Sequence, residues 1–272
     1  MILATDIQQL AVRQVQDYRA RTPGTCFADA GFGLDVSEAY AVQDAMTKLR
    51  VAEGEHVAGY KVGCTGPGTT AQFGMAGPIR GTLFTDEIRD DGTVLAPEAF
   101  CNLAIEGEMA LQIGHNGAIA AVFPVIELHN FVFRAPEKNL SELIANNGLN
   151  AGVMLPAKSW RASKTYLERP AALSVRINGE VFDTDALWPM PGGAGGSLDW
   201  LEDHLAAHDL QLSNGDLVLA GTTLGLYPVH PGDAIRCIWI TNQRFSVVLP
   251  NNPTMAQYAP NGRDQRLNNS CG

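Results

Sequence analysis

Residues 102–114, "NLAIEGEMALQIG", form an apolar run broken by two carboxylates, Glu106 and Glu108. Side chains alternate across a strand. Glu106 and Glu108 therefore share one face with Ala104, Ala110 and Gln112, while Leu103, Ile105, Met109 and Leu111 take the other. Two like charges side by side in an apolar strand persist only if water solvates them, protons neutralise them or a cation does. The next apolar run, "AVFPVIELHN" (121–130), repeats the anomaly with Glu127 among Phe123, Val125, Ile126 and Leu128. If the two strands are neighbours, the three carboxylates converge as hard oxygen ligands suited to Mg²⁺ or Mn²⁺ rather than zinc. If they are not, the carboxylates are the solvent-facing residues of half-exposed antiparallel strands. Spacing alone leaves both readings open.

Outward from these runs, most of the chain reads as strand. Short apolar segments separated by turn residues begin near His56: "HVAGYKVG", "GTLFTDEI", "GTVLAP", "AGVMLPA", "LSVRINGEVFDT", "GDLVLAGTT", "AIRCIWIT" and "RFSVVLP". Asn178-Gly179 is a two-residue hairpin signal. Upstream, residues 5 to about 21 show helical spacing with Thr5 and Gln8 as a capping box, and "VSEAYAVQDAMTKLRVAEG" gives a second helix ending at Gly54. One later helix, "SLDWLEDHLAAHDLQL", is expected with Ser197 as its cap, preceded by "GGAGGS" as a connector. The predicted organisation is an N-terminal helical region (1–55), a β-rich catalytic domain (56–250) and a polar C-terminal tail (251–272). Strands and helices do not alternate regularly, which disfavours a doubly wound sheet or an eight-fold α/β barrel and predicts an α+β protein with a large, mainly antiparallel sheet system.

Composition narrows the function. With 46% apolar and 18% charged residues among 272, the chain should fold as an ordered protein. A formal charge of −10 without a Lys/Arg cluster argues against nucleic acid or an anionic membrane as partner. No basic leader followed by an apolar core opens the sequence and no run of 18 apolar residues follows, so a cytoplasmic protein is expected. The five scattered cysteines lack C-x-x-C spacing, which argues against a zinc ribbon or a disulfide framework.

Other residues carry possible chemistry. Lys61, in "GYKVGC", lies among small residues in an apolar run, where a lysine can trade protons near neutrality or simply snorkel. Asp86, in "LFTDEI", stands at a strand end, where an aspartate can act or merely form a turn. His204 and His208 are four apart on the late helix, but Leu205 stands where a zinc protease carries its glutamate, and they read as surface residues. No G-x-S-x-G elbow and no activating cysteine motif is present, which weakens an acyl-enzyme reading.

Taken together, "GYKVGCTG", "GTLFTDEI", "IEGEMAL", "PVIELHN" and "GDLVLAGTTLGLYPVHPGDAIRC" resemble, in order over about residues 35 to 240, the hydratase and decarboxylase branch of the fumarylacetoacetate hydrolase superfamily, typified by 2-keto-4-pentenoate hydratase. The resemblance implies an α+β fold, a mixed, mainly antiparallel β-sheet roll with a small N-terminal helical part, and a homo-oligomer. It implies that Glu106, Glu108 and Glu127 ligate Mg²⁺ or Mn²⁺, that Lys61 transfers a proton and that Asp86 orients it or a water. Thr222, beside Gly221, resembles the contact to the substrate carboxylate, and Asn150 falls where a small hydroxyl residue is usual. The implied substrate is a small 2-oxo acid, whose keto and carboxylate oxygens can chelate one cation. Hydration of 2-hydroxypenta-2,4-dienoate, as arises in aromatic catabolism, is the leading activity. The alternatives are decarboxylation of 4-oxalocrotonate, favoured if Arg134 or Arg80 lines the distal pocket, C–C hydrolysis of an acylpyruvate through His56 with Glu53 or Glu55, and an inert binding homologue. Three features depart from the family pattern: a short link between Glu108 and Glu127, "LHNFVFR" after Glu127, and Asn150 itself.

Overall fold

The computed structural model describes residues 3–66, 78–158, 161, 164–167, 171–239 and 245–248; the expected tail at 251–272 lies outside them. Two helices open the chain, α1 (Ala4–Arg19) and α2 (Val36–Ala52). Helix α2 starts at a capping box in which Asp35 accepts from the Glu38 amide and Glu38 accepts from the Asp35 amide. The box expected at Thr5 and Gln8 is not formed. Helix α1 begins earlier, at Ala4, and Leu3 at its N-cap supplies no side-chain bond.

The strands that follow are β1 (Val57–Gly63), β2 (Ile79–Phe84), β3 (Ile88–Asp90), β4 (Leu103–Ile113), β5 (Ile119–Asn130) and β6 (Asn150–Leu155), with the short helix α3 (Leu140–Ala145) before β6. Next come the hairpin β7 (Ala172–Ile177) and β8 (Glu180–Ala186), helix α4 (Gly193–Ala206), and β9 (Leu217–Leu219), β10 (Leu226–Pro228), β11 (Ala234–Trp239) and β12 (Phe245–Val248). The eight-stranded sheet runs β2-β1-β9-β4-β5-β6-β3, with β10 also on β4, and the four-stranded sheet runs β12-β11-β7-β8. Among the described residues, only the β1–β9 and β3–β6 pairings are parallel. The architecture is the expected mixed, mainly antiparallel roll with helices at the N-terminus. The β7–β8 turn falls on Asn178-Gly179, both with positive φ, as a two-residue hairpin requires.

Gly107 explains how the anomalous strand is buried on both faces. It lies between the two glutamates and points the other way, where a Cβ would stand 2.4 Å from Val175 Cγ2 and 3.1 Å from Cys237 Sγ. The second sheet therefore presses directly onto β4. On the opposite face α1, α2 and α3 form a helical layer with its own apolar cluster, including Ala11, Val42, Ala104, Phe131 and Ile144. Gln43 Nε2 ties that layer to the sheet by donating to the carbonyls of Arg80 and Ile144, at 3.1 and 2.8 Å.

Helix α4 departs from expectation. It begins at Gly193, so "GGAGGS" supplies its first turns rather than a connector. Gly196 lets the helix approach Pro191 O to where a Cβ would be only 1.9 Å away. Ser197 lies inside the helix and donates to Ala220 O at 2.7 Å, pinning it to the segment after β9.

Candidate active site

Strand register decides how the carboxylates meet. In the β4–β5 ladder Glu106 stands directly opposite Glu127, and Glu108 is opposite Val125, one diagonal step away. None of the three faces water: Glu106, Glu108 and Glu127 are 3%, 2% and 1% exposed, and Lys61 is 1% exposed. The solvent-facing reading of these strands fails because the second sheet and the helical layer cover both sides.

Each carboxylate has a distinct set of partners. Glu127 Oε1 takes Lys61 Nζ at 2.8 Å and Asn150 Nδ2 at 2.8 Å, which leaves Oε2 for other contacts. Glu108 Oε1 accepts from the Gly221 amide. Glu106 Oε2 and Glu127 Oε2 both face His129 Nε2, at 3.6 and 3.4 Å. Burial, the leading cause, pushes the Glu106 carboxyl above its usual range despite His129, and pushes Glu108 well above it with help from Glu127 and Glu106. Burial also works to raise Glu127, but the Lys61 ammonium and then His129 outweigh it and hold that carboxyl well below the usual range.

Lys61 owes its position to glycines. Its partner across β1–β2 is Gly81, and the turn after α3 folds over it at Gly148. A Cβ on Gly81 would stand 2.9 Å from Lys61 Cγ, and one on Gly148 2.6 Å from Lys61 Cε. The lysine stem is thus clamped between two backbones. Asn147 holds the turn down, because its side chain exchanges two hydrogen bonds with the Thr82 backbone at 2.7 and 2.8 Å.

The site therefore gathers three buried carboxylates, one ammonium and one imidazole. Three carboxylates against Lys61 leave a formal charge of −2, which one divalent cation would cancel. Glu106, Glu127 and His129 offer ligand atoms all within 4.8 Å of one another, a group that leaves Glu108 outside, and neither His129 ring nitrogen has a hydrogen-bond partner among the described residues.

The chain is 27% identical over 221 residues to 2-oxo-hept-4-ene-1,7-dioate hydratase of Escherichia coli, an alignment covering 75% of this chain and 82% of that one. It is 26% identical to 2-keto-4-pentenoate hydratase 1 of Dechloromonas aromatica (strain RCB), covering 73% and 80%. Its fold matches 4-oxalocrotonate decarboxylase from Pseudomonas putida G7, solved with magnesium and adipate, with a TM-score of 0.81 at 20% identity over 92% of this chain and 99% of that one. In sequence the chain is thus similar to 2-oxo acid hydratases, and in fold to a 2-oxo acid decarboxylase. No protein-family model matches it.

Of the residues nominated from the sequence, the structure brings Lys61, Glu106, Glu108, Glu127 and Asn150 together. Asn150 acts on Glu127, and its Oδ1 accepts from the Gly152 amide at 3.1 Å. Thr222 reaches the same strand, but its hydroxyl donates to Gly107 O at 2.7 Å and accepts from the Leu224 amide at 3.0 Å, locking the loop after β9 onto β4. Asp86 is a correction. It is exposed on the 3₁₀ turn Thr85–Glu87, beyond the end of β2, and strand rise alone puts Phe84 about 10 Å from the Gly81 position that faces Lys61. The next residue, Glu87, turns inward instead and accepts from Tyr18 and Arg50, both at 2.6 Å.

The other nominated groups are engaged elsewhere. Arg80 bonds Asp44 at 2.5 Å, and pairing opposite Val62 sends its side chain to the face away from Lys61. There it lines a cavity of about 400 Å³ with Tyr60, Thr82, Lys48 and His208. Arg134 Nε donates to Pro23 O at 2.7 Å. Glu53 and Glu55, the carboxylates nominated to pair with His56, are instead engaged by Arg19 and by Arg50, the latter at 2.5 Å. His204 and His208 are packed rather than free on the surface. His204 stacks on Trp200 with centroids 4.9 Å apart, and His208 Nδ1 lies 3.1 Å from Asp44 Oδ2.

Sequence reasoning missed His129 as a member of the site. It is two residues beyond Glu127 on the same strand, so alternation alone places it on the carboxylate face.

Proposed function

We propose that the protein is a divalent-metal-dependent lyase acting on a small 2-oxo acid, a hydratase of 2-hydroxypenta-2,4-dienoate (2-keto-4-pentenoate). The observation that carries this reading is Lys61 Nζ set 2.8 Å from Glu127 inside a sealed trio of carboxylates. Glu106, Glu108 and Glu127 are the residues assigned to hold Mg²⁺ or Mn²⁺, which when bound would polarise the substrate's keto oxygen. Lys61 is assigned the proton transfer: the dienol loses its hydroxyl proton, C5 gains one, and water then adds hydroxyl to C4 and a proton to C3. Asn150 and Lys61 fix Glu127, and the loop carrying Gly221 and Thr222 fixes Glu108.

Hydration is preferred to decarboxylation on two grounds. The sequence relatives that cover three quarters of the chain are named hydratases, whereas the decarboxylase match rests on fold at 20% identity. Arg80 and Arg134, the cations nominated for a second substrate carboxylate, are already engaged. A cytoplasmic homo-oligomer is part of the same proposal. The test is to mix purified protein and Mg²⁺ with 2-hydroxypenta-2,4-dienoate and, separately, with 4-oxalocrotonate. Loss of dienol absorbance with formation of the hydrated 2-oxo acid supports hydration. CO₂ release from 4-oxalocrotonate without hydration of the dienoate overturns it.

A further inference from the structure

We infer that His129 is a direct nitrogen ligand of the cation and biases the site toward a first-row transition dication over Mg²⁺. This rests on the metal centre proposed above and concerns which ion it selects. Three observations converge on His129. It is fully buried, with both ring nitrogens lacking a hydrogen-bond partner among the described residues, an expensive condition for a polar ring unless something meets it. Its Nε2 faces two carboxylate oxygens: Glu127 Oε1 is taken by Lys61 and Asn150, which leaves Oε2 at 3.4 Å from the ring, and Glu106 Oε2 lies at 3.6 Å. Those separations exceed a good hydrogen bond and approach the spacing of about 3 Å between adjacent octahedral ligands at bond lengths near 2.1 Å.

The strand geometry makes this arrangement specific. Glu106 and Glu127 are cross-strand partners, and His129 follows Glu127 on the same face, opposite Ala104. Alanine there leaves room for the ring to lean back over Glu106. Replacing an oxygen or water ligand with imidazole favours ions that accept nitrogen donors, which rise along Mn²⁺, Fe²⁺ and Co²⁺, whereas Mg²⁺ is served best by carboxylate, carbonyl and water.

Pulsed EPR of the protein loaded with one equivalent of Mn²⁺ tests the assignment. The expected result is a directly coordinated ¹⁴N signal that becomes a ¹⁵N signal when the protein is grown with ¹⁵N-histidine, and that vanishes in His129→Leu. Competition between Mn²⁺ and Mg²⁺, followed by Mn²⁺ EPR, should show the preference for Mn²⁺ falling at least tenfold in that variant. Bound Mn²⁺ without histidine nitrogen coupling overturns the inference and leaves the carboxylate centre standing. No Mn²⁺ binding at all overturns the metal centre, and this inference with it. The isotope experiment uses the unaltered protein, so it decides the matter even if His129→Leu does not fold.

Discussion

Lys61→Met should separate the two duties of the lysine. Lys61 is the buried counter-charge of Glu127, at 2.8 Å with both side chains 1% exposed. Removing one member of such a pair leaves the other unbalanced, at a cost of about 3–5 kcal/mol. That is a large share of a typical folding free energy of roughly 5–15 kcal/mol. The formal charge of the cluster moves from −2 to −3 at the same time. A unit pair about 5 Å apart at an effective dielectric near 20 is worth about 3 kcal/mol, so removing the ammonium should strengthen binding of a dication by tenfold or more. The variant should therefore be destabilised without metal, largely rescued by saturating Mg²⁺, tighter in metal binding and inactive. Urea denaturation with and without Mg²⁺, metal titration calorimetry and dienol absorbance measure these four quantities. Unchanged metal-free stability, or weaker metal binding, would refute the electrostatic reasoning.

Gly148→Ala places a methyl 2.6 Å from Lys61 Cε at a residue with φ of +63°, so kcat should fall about a hundredfold through misplacement of the ammonium while circular dichroism stays native. Gly107→Ala pushes into Val175 and should lower folding stability by about 1–3 kcal/mol through overpacking, read as a lower urea midpoint; an unchanged midpoint would show that the sheets do not meet there. His204 is held neutral, its pKa lowered to about 4 by burial first and then by Arg80 and His208. Between its unfolded value near 6.5 and about 4 the unfolded chain binds the extra proton, so stability from this residue is present above pH 6.5 and is lost as pH falls toward 4. Denaturation midpoints across that window should slope less steeply in His204→Phe.

Local pattern carried much of the fold and named the buried acidic residues that the strands bring together. The E-G-E alternation placed Glu106 and Glu108 on one face, Asn178-Gly179 closed a hairpin, and the ordered motifs pointed to the family. What escaped depended on register and on packing between distant segments. That Glu106 meets Glu127 is a property of the β4–β5 ladder. Gly81 and Gly148 read as ordinary turn or strand glycines until the lysine stem is seen between them. Asp86 and Glu87 are neighbours in sequence, but a 3₁₀ turn swings successive side chains by about 120°, so only one of them enters the core. Strands β3 and β10, three residues each, have too few side chains to show a period, and their pairing with β6 and β4 defines them.

On the proposed function, three buried carboxylates hold one divalent cation. Equilibrium dialysis of the full chain against Mn²⁺, with elemental analysis of the retained metal, measures it directly. One ion per chain, displaced by chelator and abolished in a folded Glu106→Gln variant, is the predicted result. No retained metal, or retention unaffected by Glu106→Gln, would contradict it.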